Sequence, residues 1–412
     1  MPLLLEEDRV RPLPKLYPVR QSFARPRLED PAAAVRRALE DPDIAQRVRP
    51  GAKIAVAVGS RGIRNLFEIV QAAVAALQKR GAFPFLVSAM GSHGGGTEAG
   101  QREVLSGYGL TEEALGVPVV TAVESRRVGC LHDGTPVYFD KAALSADLIV
   151  PINRIKLHTD FSGALQSGLC KMLVIGLGNQ VGCSAIHEEP PERFADVLEE
   201  AAALLLKRAS IGFGIAILEN AYDETAAIEA VPAETLIARE KELVGQAMGL
   251  MPRLFFDDLD VLVMRRMGKD ISGAGFDPNI VGRSSVRSEY PLPIPKIRRM
   301  VLLDLTDASH GNGIGVGAFD VITREVFRKL DFSSMYANAV ACKCIDDVKI
   351  PLVAKDEEEA VRVALKACRG IDRHNPRIVR IEDTLHLGKL EVSAALLPEV
   401  SQNPRLLWLQ AP

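Results

Sequence analysis

The chain has no run of the 18 or so apolar residues that a membrane-spanning helix requires, so no membrane segment is expected. It is also poor in cysteine. Cys130, Cys170, Cys183, Cys342, Cys344 and Cys368 follow no framework spacing, and Cys342 with Cys344 makes only a C-x-C, short of the paired C-x-x-C of a zinc ribbon. A chain of 412 residues buries a sizeable core without cross-links. Such cysteine use fits a reducing compartment, and the expectation is a cytoplasmic protein. The first residues carry too short an apolar stretch for a secretory signal. An excess of one charge is missing too: 50 Lys and Arg stand against 53 Asp and Glu, a formal −3. That excludes a bulk positive field, and with it a nucleic-acid or anionic-membrane partner. Histidine is scarce as well. Of the seven, His93, His158 and His187 fall in the glycine-rich first half, while His132, His310, His374 and His386 have no comparable setting.

What is present is an alternation of short apolar runs with amphipathic stretches. Lys53–Val58 reads as a strand, Leu66–Arg80 as a helix, Pro84–Met90 as a strand, and a helix resumes at Glu98. Ala146–Ile152 and Ile211–Leu218 read as further strands. Glu192–Arg208 and Pro232–Gly249 read as helices. Asp30 before Pro31 marks a helix start, with the helix expected over Pro31–Ala45. After Met251-Pro252 the alternation restarts: strands at Asp257–Arg265, Met300–Leu305 and Ile378–Ile381, helices at Asp320–Lys329 and Glu357–Ala367. This is the pattern of α/β domains with parallel sheets, whose ligands sit at the carboxyl ends of strands. The expected division is 1–254 for a catalytic and cofactor-binding domain and 255–390 for a second α/β domain. The tail at 391–412 is expected to pack back on the first.

Glycine-rich loops follow several strands. Ser92-His93-Gly94-Gly95-Gly96-Thr97 lets backbone approach a ligand closely and opens a helix with free N–H groups. Gly59-Ser60-Arg61-Gly62-Ile63-Arg64 offers two arginines for a carboxylate or phosphate. Arg154-Ile155-Lys156-Leu157-His158 adds positive charge beside a histidine able to move protons near neutrality. Lys171 stands alone in the apolar run Ser167-Gly168-Leu169-Cys170-Lys171-Met172-Leu173-Val174-Ile175-Gly176. A lysine there is either a snorkelling surface residue or a desolvated nucleophile. His187 follows, before Glu188-Glu189. In the second half, Lys269, Asp270, Ser272 and Asn279 share a glycine-rich loop after a strand. Gly311–Gly317 is rich in glycine but is no G-x-G-x-x-G fingerprint, which removes the usual nicotinamide reading.

The ordered set Gly91-Ser92-His93-Gly94, His158, Ser167-Gly168-Leu169-Cys170-Lys171 and His187 resembles the nickel-dependent lactate racemase family, whose members use a nickel-pincer nucleotide. The resemblance implies two domains, each with a mostly parallel sheet flanked by helices, and an active site in the cleft between them. It implies that Lys171 holds the nucleotide covalently, that His187 is the protein's ligand to nickel, and that His93 and His158 serve as alternating base and acid. Ser60, Arg61, Arg64, Gly94 and Gly95 would contact the cofactor; Arg64, Lys269 and Asp270 would contact the substrate. Arg61 stands where the family has an acid, and Ser167-Gly168 replaces paired glycines, departures that imply a 2-hydroxy acid other than lactate. The implied activity is racemisation or epimerisation. The implied partners are that small acid and the cofactor biosynthesis enzymes, with the protein a monomer or homo-dimer. Two readings stay open beside it: a zinc- or magnesium-dependent hydrolase or lyase using the three histidines, and a small-anion-binding protein without turnover.

Overall fold

The structure, a computed structural model, describes residues 3–60 and 62–409. The chain forms two units, one from Ala24 to Met251 and the other from the stretch up to Phe23 together with that from Pro252 on.

The Ala24–Met251 unit is built on a six-stranded sheet. Its order is Val119–Val120, Phe83–Ser88, Lys53–Val58, Leu148–Arg154, Phe213–Glu219 and Thr225–Pro232, parallel except for the last strand. Both faces are covered. Along Lys53–Val58, Ile54, Val56 and Val58 join one core with helices Pro31–Glu40 and Leu66–Lys79. Ala55 and Ala57 join the other, with Leu169–Lys171, Phe194–Arg208 and Leu236–Leu250. A Cβ on Gly176 would stand 2.6 Å from the Ala89 carbonyl oxygen, so the segment carrying Lys171 lies close on the sheet. That segment passes into a π-helical turn at Met172–Gly176, a device that recurs at functional sites. The chain winds outward from Lys53–Val58 to one side and then returns on the other at Leu148–Arg154. Their carboxyl ends, Ser60 and the run to His158, flank the resulting switch point, where open α/β sheets bind ligands.

The other unit carries an eight-stranded sheet. Leu352–Ala354, Val321–Thr323, Lys296–Leu305, Asp258–Met267 and Ile378–Ile381 run parallel. Lys389–Ser393, Leu16–Gln21 and Leu406–Trp408 extend them antiparallel. The expected tail contact is corrected here. Leu406–Trp408 pairs with Leu16–Gln21 (Val19 opposite Trp408), Trp408 meets Tyr17 edge-on at 5.8 Å, and Val19 is fully buried. Described segments near both ends of the chain thus complete this sheet, and residues 3–23 side with it rather than with the first unit.

Two of the differences from the expected elements have a local cause. The helix begun at Pro31 stops at Glu40, because Pro42 disfavours a helical Asp41, which instead caps a short turn at Pro42–Ala45. Val321–Thr323 is a strand, as its β-branched residues favour, and Thr323 then caps the helix Arg324–Lys329. Among the described residues no single helix is long and apolar enough to cross a membrane.

Candidate functional site

The strand Lys53–Val58 delivers Ser60 to the switch point, where its Oγ shares a hydrogen bond with His93 Nδ1. Tyr108 OH donates to the Ser60 carbonyl at 2.8 Å and holds that turn. The loop bearing His93 is pinned from beneath by buried Gln101, which donates to the Gly91 carbonyl (3.1 Å) and accepts from Ser88 Oγ (2.6 Å). Gly94 has φ +65°, and a Cβ there would stand 2.6 Å from the Gln101 nitrogen, so only glycine lets the loop close on the helix Glu98–Gly107.

His158 is positioned by a small backbone clasp. Lys156 and Ser167 exchange both of their backbone hydrogen bonds (2.9 and 3.0 Å), and Gln166 Oε1 accepts from the His158 amide at 2.7 Å. The ring stacks on Phe161 with centroids 4.3 Å apart. The Asp160 amide donates to His158 Nδ1 at 3.0 Å, so a neutral ring carries its proton on Nε2. That nitrogen faces Lys171 Nζ, with which it is hydrogen-bonded.

His187 ends the helix Asn179–Ile186. Its Nδ1 donates to the Cys183 carbonyl at 2.7 Å, which leaves the lone pair on Nε2, the arrangement of a metal-ligating histidine. Partial desolvation opposes charge on His187, but the Cys183 thiol 3.5 Å from Nδ1 outweighs it and raises the pKa. The same contact draws the Cys183 thiol down against the effect of its burial. Cys183 Sγ also reaches Ser92 Oγ (3.8 Å), next to His93. Phe194 lies 5.1 Å from the His187 ring and 4.6 Å from Phe161. A continuous set of contacts therefore runs from Ser60 and His93 through Ser92, Cys183, His187, Phe194 and Phe161 to His158 and Lys171.

Not every candidate joins it in the expected way. Arg154 is paired with Glu219, so its charge is compensated within the protein. Glu219 also accepts from the Arg64 amide at 2.6 Å and fixes that backbone, while the Arg64 side chain is exposed. Gly95 has open space above its Cα. Arg61 lies outside the described residues. Lys269 and Asp270 belong to the other unit, at the carboxyl end of Asp258–Met267. There Lys269 Nζ donates to the Gly273 carbonyl (2.7 Å) and Asp270 accepts from Thr306 Oγ1 (2.5 Å). Among the described residues no three His, Cys, Asp or Glu side chains converge as a metal site.

Three supporting residues escape a reading by motif. Asn153 donates to the Gly168 carbonyl at 2.8 Å, and Phe161 and Phe194 pack the two histidine rings together. The fourth, Glu240, has a detectable signal. It shares the buried face of its helix with Leu236, Leu243, Val244 and Ala247, where a charge is out of place. Its side chain is fully buried, and burial, against hydrogen bonds from Cys170 and Leu169, raises its pKa to about 7.

Residues 15–193 match the model of the lactate racemase N-terminal domain. No curated protein matches the sequence. Among solved structures, the lactate racemase apoprotein from Thermoanaerobacterium thermosaccharolyticum matches with a TM-score of 0.53 at 15 % identity. That match covers 89 % of this chain and 94 % of that one. A Thermotoga maritima protein matches at 13 % identity over 81 % of this chain and 90 % of that one, with a TM-score of 0.47, too low to bear on the fold. The chain thus shares the fold of that apoprotein structure, and its residues 15–193 are similar to the lactate racemase N-terminal domain.

Proposed function

We propose that this protein racemises or epimerises a 2-hydroxy acid with the help of a nickel-pincer nucleotide. The observation that carries this reading is the contact path joining His93, His158, Lys171 and His187 within the unit that holds most of the family match. The donor set fits the group: a lysine amine hydrogen-bonded to His158 for the covalent link, and one imidazole whose Nδ1 is taken by the Cys183 carbonyl, which leaves the Nε2 lone pair for a metal. Lys171 would hold the nucleotide and His187 its nickel. When bound, the cofactor supplies a reversible acceptor for the substrate's α-hydrogen.

The protein's own task is then to move the hydroxyl proton and orient the acid. His93 Nδ1 faces a serine hydroxyl that can donate or accept, so Nε2 can serve with or without a proton. That suits a base which must later return the proton. His158 presents its Nε2 proton as a hydrogen-bond donor to the substrate oxygen; to act as the acid it takes a second proton at Nδ1 and releases the Asp160 amide. The Arg64 side chain, exposed beside Ser60, would take the substrate carboxylate or a cofactor phosphate. Lys269 and Asp270 remain proposed substrate contacts. The proposed setting is cytoplasmic, where the cofactor biosynthesis enzymes would act on it.

The test is co-expression with those enzymes, followed by intact mass and metal analysis. The expected outcome is a nucleotide adduct at Lys171 and one nickel per chain, with loss of optical rotation and α-deuterium exchange for one member of a 2-hydroxy acid panel. An unmodified Lys171 under those conditions rules the reading out.

A further inference from the structure

Glu240 is 69 residues from Lys171 in sequence, yet it is built into the turn that presents the lysine. Its Oε2 accepts the Cys170 amide at 2.8 Å, and the Leu169 amide also binds this carboxyl. These are the first N–H groups of the helical stretch in which Lys171 stands, groups that have no partner within the helix. The other oxygen, Oε1, is buried without a hydrogen-bond partner and lies against Gly168. A Cβ on residue 168 would stand 2.3 Å from Oε1 and 2.9 Å from Ile155 Cδ1, so the glycine before this turn makes room for the carboxyl. From the opposite side, Asn153 donates to the Gly168 carbonyl at 2.8 Å. The residues before Lys171 are thus gripped at both backbone polar groups, by side chains from two different elements.

A fully buried carboxyl with one oxygen unpaired carries a desolvation cost, offset in part by the two amides it holds, which an apolar residue would leave unpaired. We propose that Glu240 is a positioning residue: by holding the amides of Leu169 and Cys170, it fixes the backbone from which Lys171 reaches His158. It touches neither substrate nor cofactor and acts only through the Gly168–Lys171 backbone. Its importance to turnover rests on the reading that Lys171 anchors the nucleotide, but its effect on the lysine's orientation does not. The buried setting favours this arrangement. Cys170, which sits between them, has its thiol pushed far up by burial and then by Glu240, so it does not compete with Lys171 as a nucleophile.

The experiment is labelling of Lys171 in the full-length protein by an amine-acylating succinimidyl ester, followed by peptide mass spectrometry across neutral and alkaline pH. Glu240→Leu removes the acceptor and keeps the bulk. It should slow labelling of Lys171 at least about tenfold and move its pH profile toward that of an exposed lysine such as Lys349 in the same sample. Glu240→Gln keeps a carbonyl acceptor and should restore both. Gly168→Ala, which drives a methyl into the carboxyl, should reproduce the loss. If Glu240→Leu does not fold, Glu240→Asp, which withdraws the acceptor by one methylene, carries the same expectation. Unchanged rate and pH profile in a folded Leu or Asp variant would overturn the proposal, even if its melting temperature falls. A wild-type chain that takes no adduct from the biosynthesis enzymes would defeat the anchor reading and leave the labelling result standing.

Discussion

The two catalytic candidates have different hydrogen-bond partners. His93 works against a hydroxyl that accommodates either tautomer, whereas the Asp160 amide fixes the tautomer of His158. His93→Asn is therefore expected to lower kcat by about 10²–10⁴-fold, the usual worth of a general base, while intact mass still shows the Lys171 adduct. Ser60→Ala should cost less, about tenfold, since it removes only the partner that orients the ring. If His93→Asn turns over at the wild-type rate, the acid–base assignment is wrong. Both histidines stood out in the sequence because each follows an apolar strand in a polar, glycine-bearing loop. Their partners did not, because Ser60 is 33 residues from His93 and nothing local links them.

At the scale of elements, the site depends on loops that close tightly on the helices that follow them. Gly94→Ala places a Cβ in a left-handed conformation, which costs about 1–2 kcal/mol for an L-residue, and adds the contact with Gln101. The expected result is faster amide exchange over residues 91–96 and a lower kcat, with the global melting temperature nearly unchanged. A fall in melting temperature without local exchange would contradict it. Strand and helix identities here were mostly legible: Lys53–Val58 and Glu357–Ala367 appear as the pattern predicts, since a buried strand and an amphipathic helix carry their periodicity in their own residues. Leu16–Gln21 was not legible. Pro18 interrupts it, and it becomes a strand only because Lys389–Ser393 and Leu406–Trp408 pair with it on either side.

For the molecule as a whole, two predictions follow from how the units are assembled. Glu240 has a folded pKa near 7, above the ordinary carboxylate value of 4.5, so the folded protein holds more protons than the unfolded chain between those values. Its contribution to stability is thus greatest at and below pH 4.5 and is lost as pH rises through about 7. The change amounts to about 3 kcal/mol from this group. Chemical denaturation of Glu240→Gln across that window should show a flatter curve than wild type, with Asp140, also raised by burial, supplying part of the remaining slope. An identical slope in both proteins would show that Glu240 does not titrate there. The second concerns the chain ends. Truncation after Asn403 removes Leu406–Trp408 and exposes the edge of Leu16–Gln21. Amide exchange should rise in residues 16–21 and 389–393 and stay at the wild-type level in Lys53–Val58, because the two sheets are separate.

The sequence alone determined the α/β class and the parallel first sheet, and it singled out His93, His158, Lys171 and His187 among its candidates. Those follow from local pattern: apolar period, capping residues, glycine loops, and ionisable groups in improbable surroundings. Only the tertiary structure decided that His93 rests on Ser60, that His158 meets Lys171, that Arg154 is spent on Glu219, and that a glutamate from a distant helix grips the lysine's turn. Each of these is a contact between segments far apart in the chain. Such contacts are set by which strands lie side by side and which faces pack together, and no single stretch of residues encodes that.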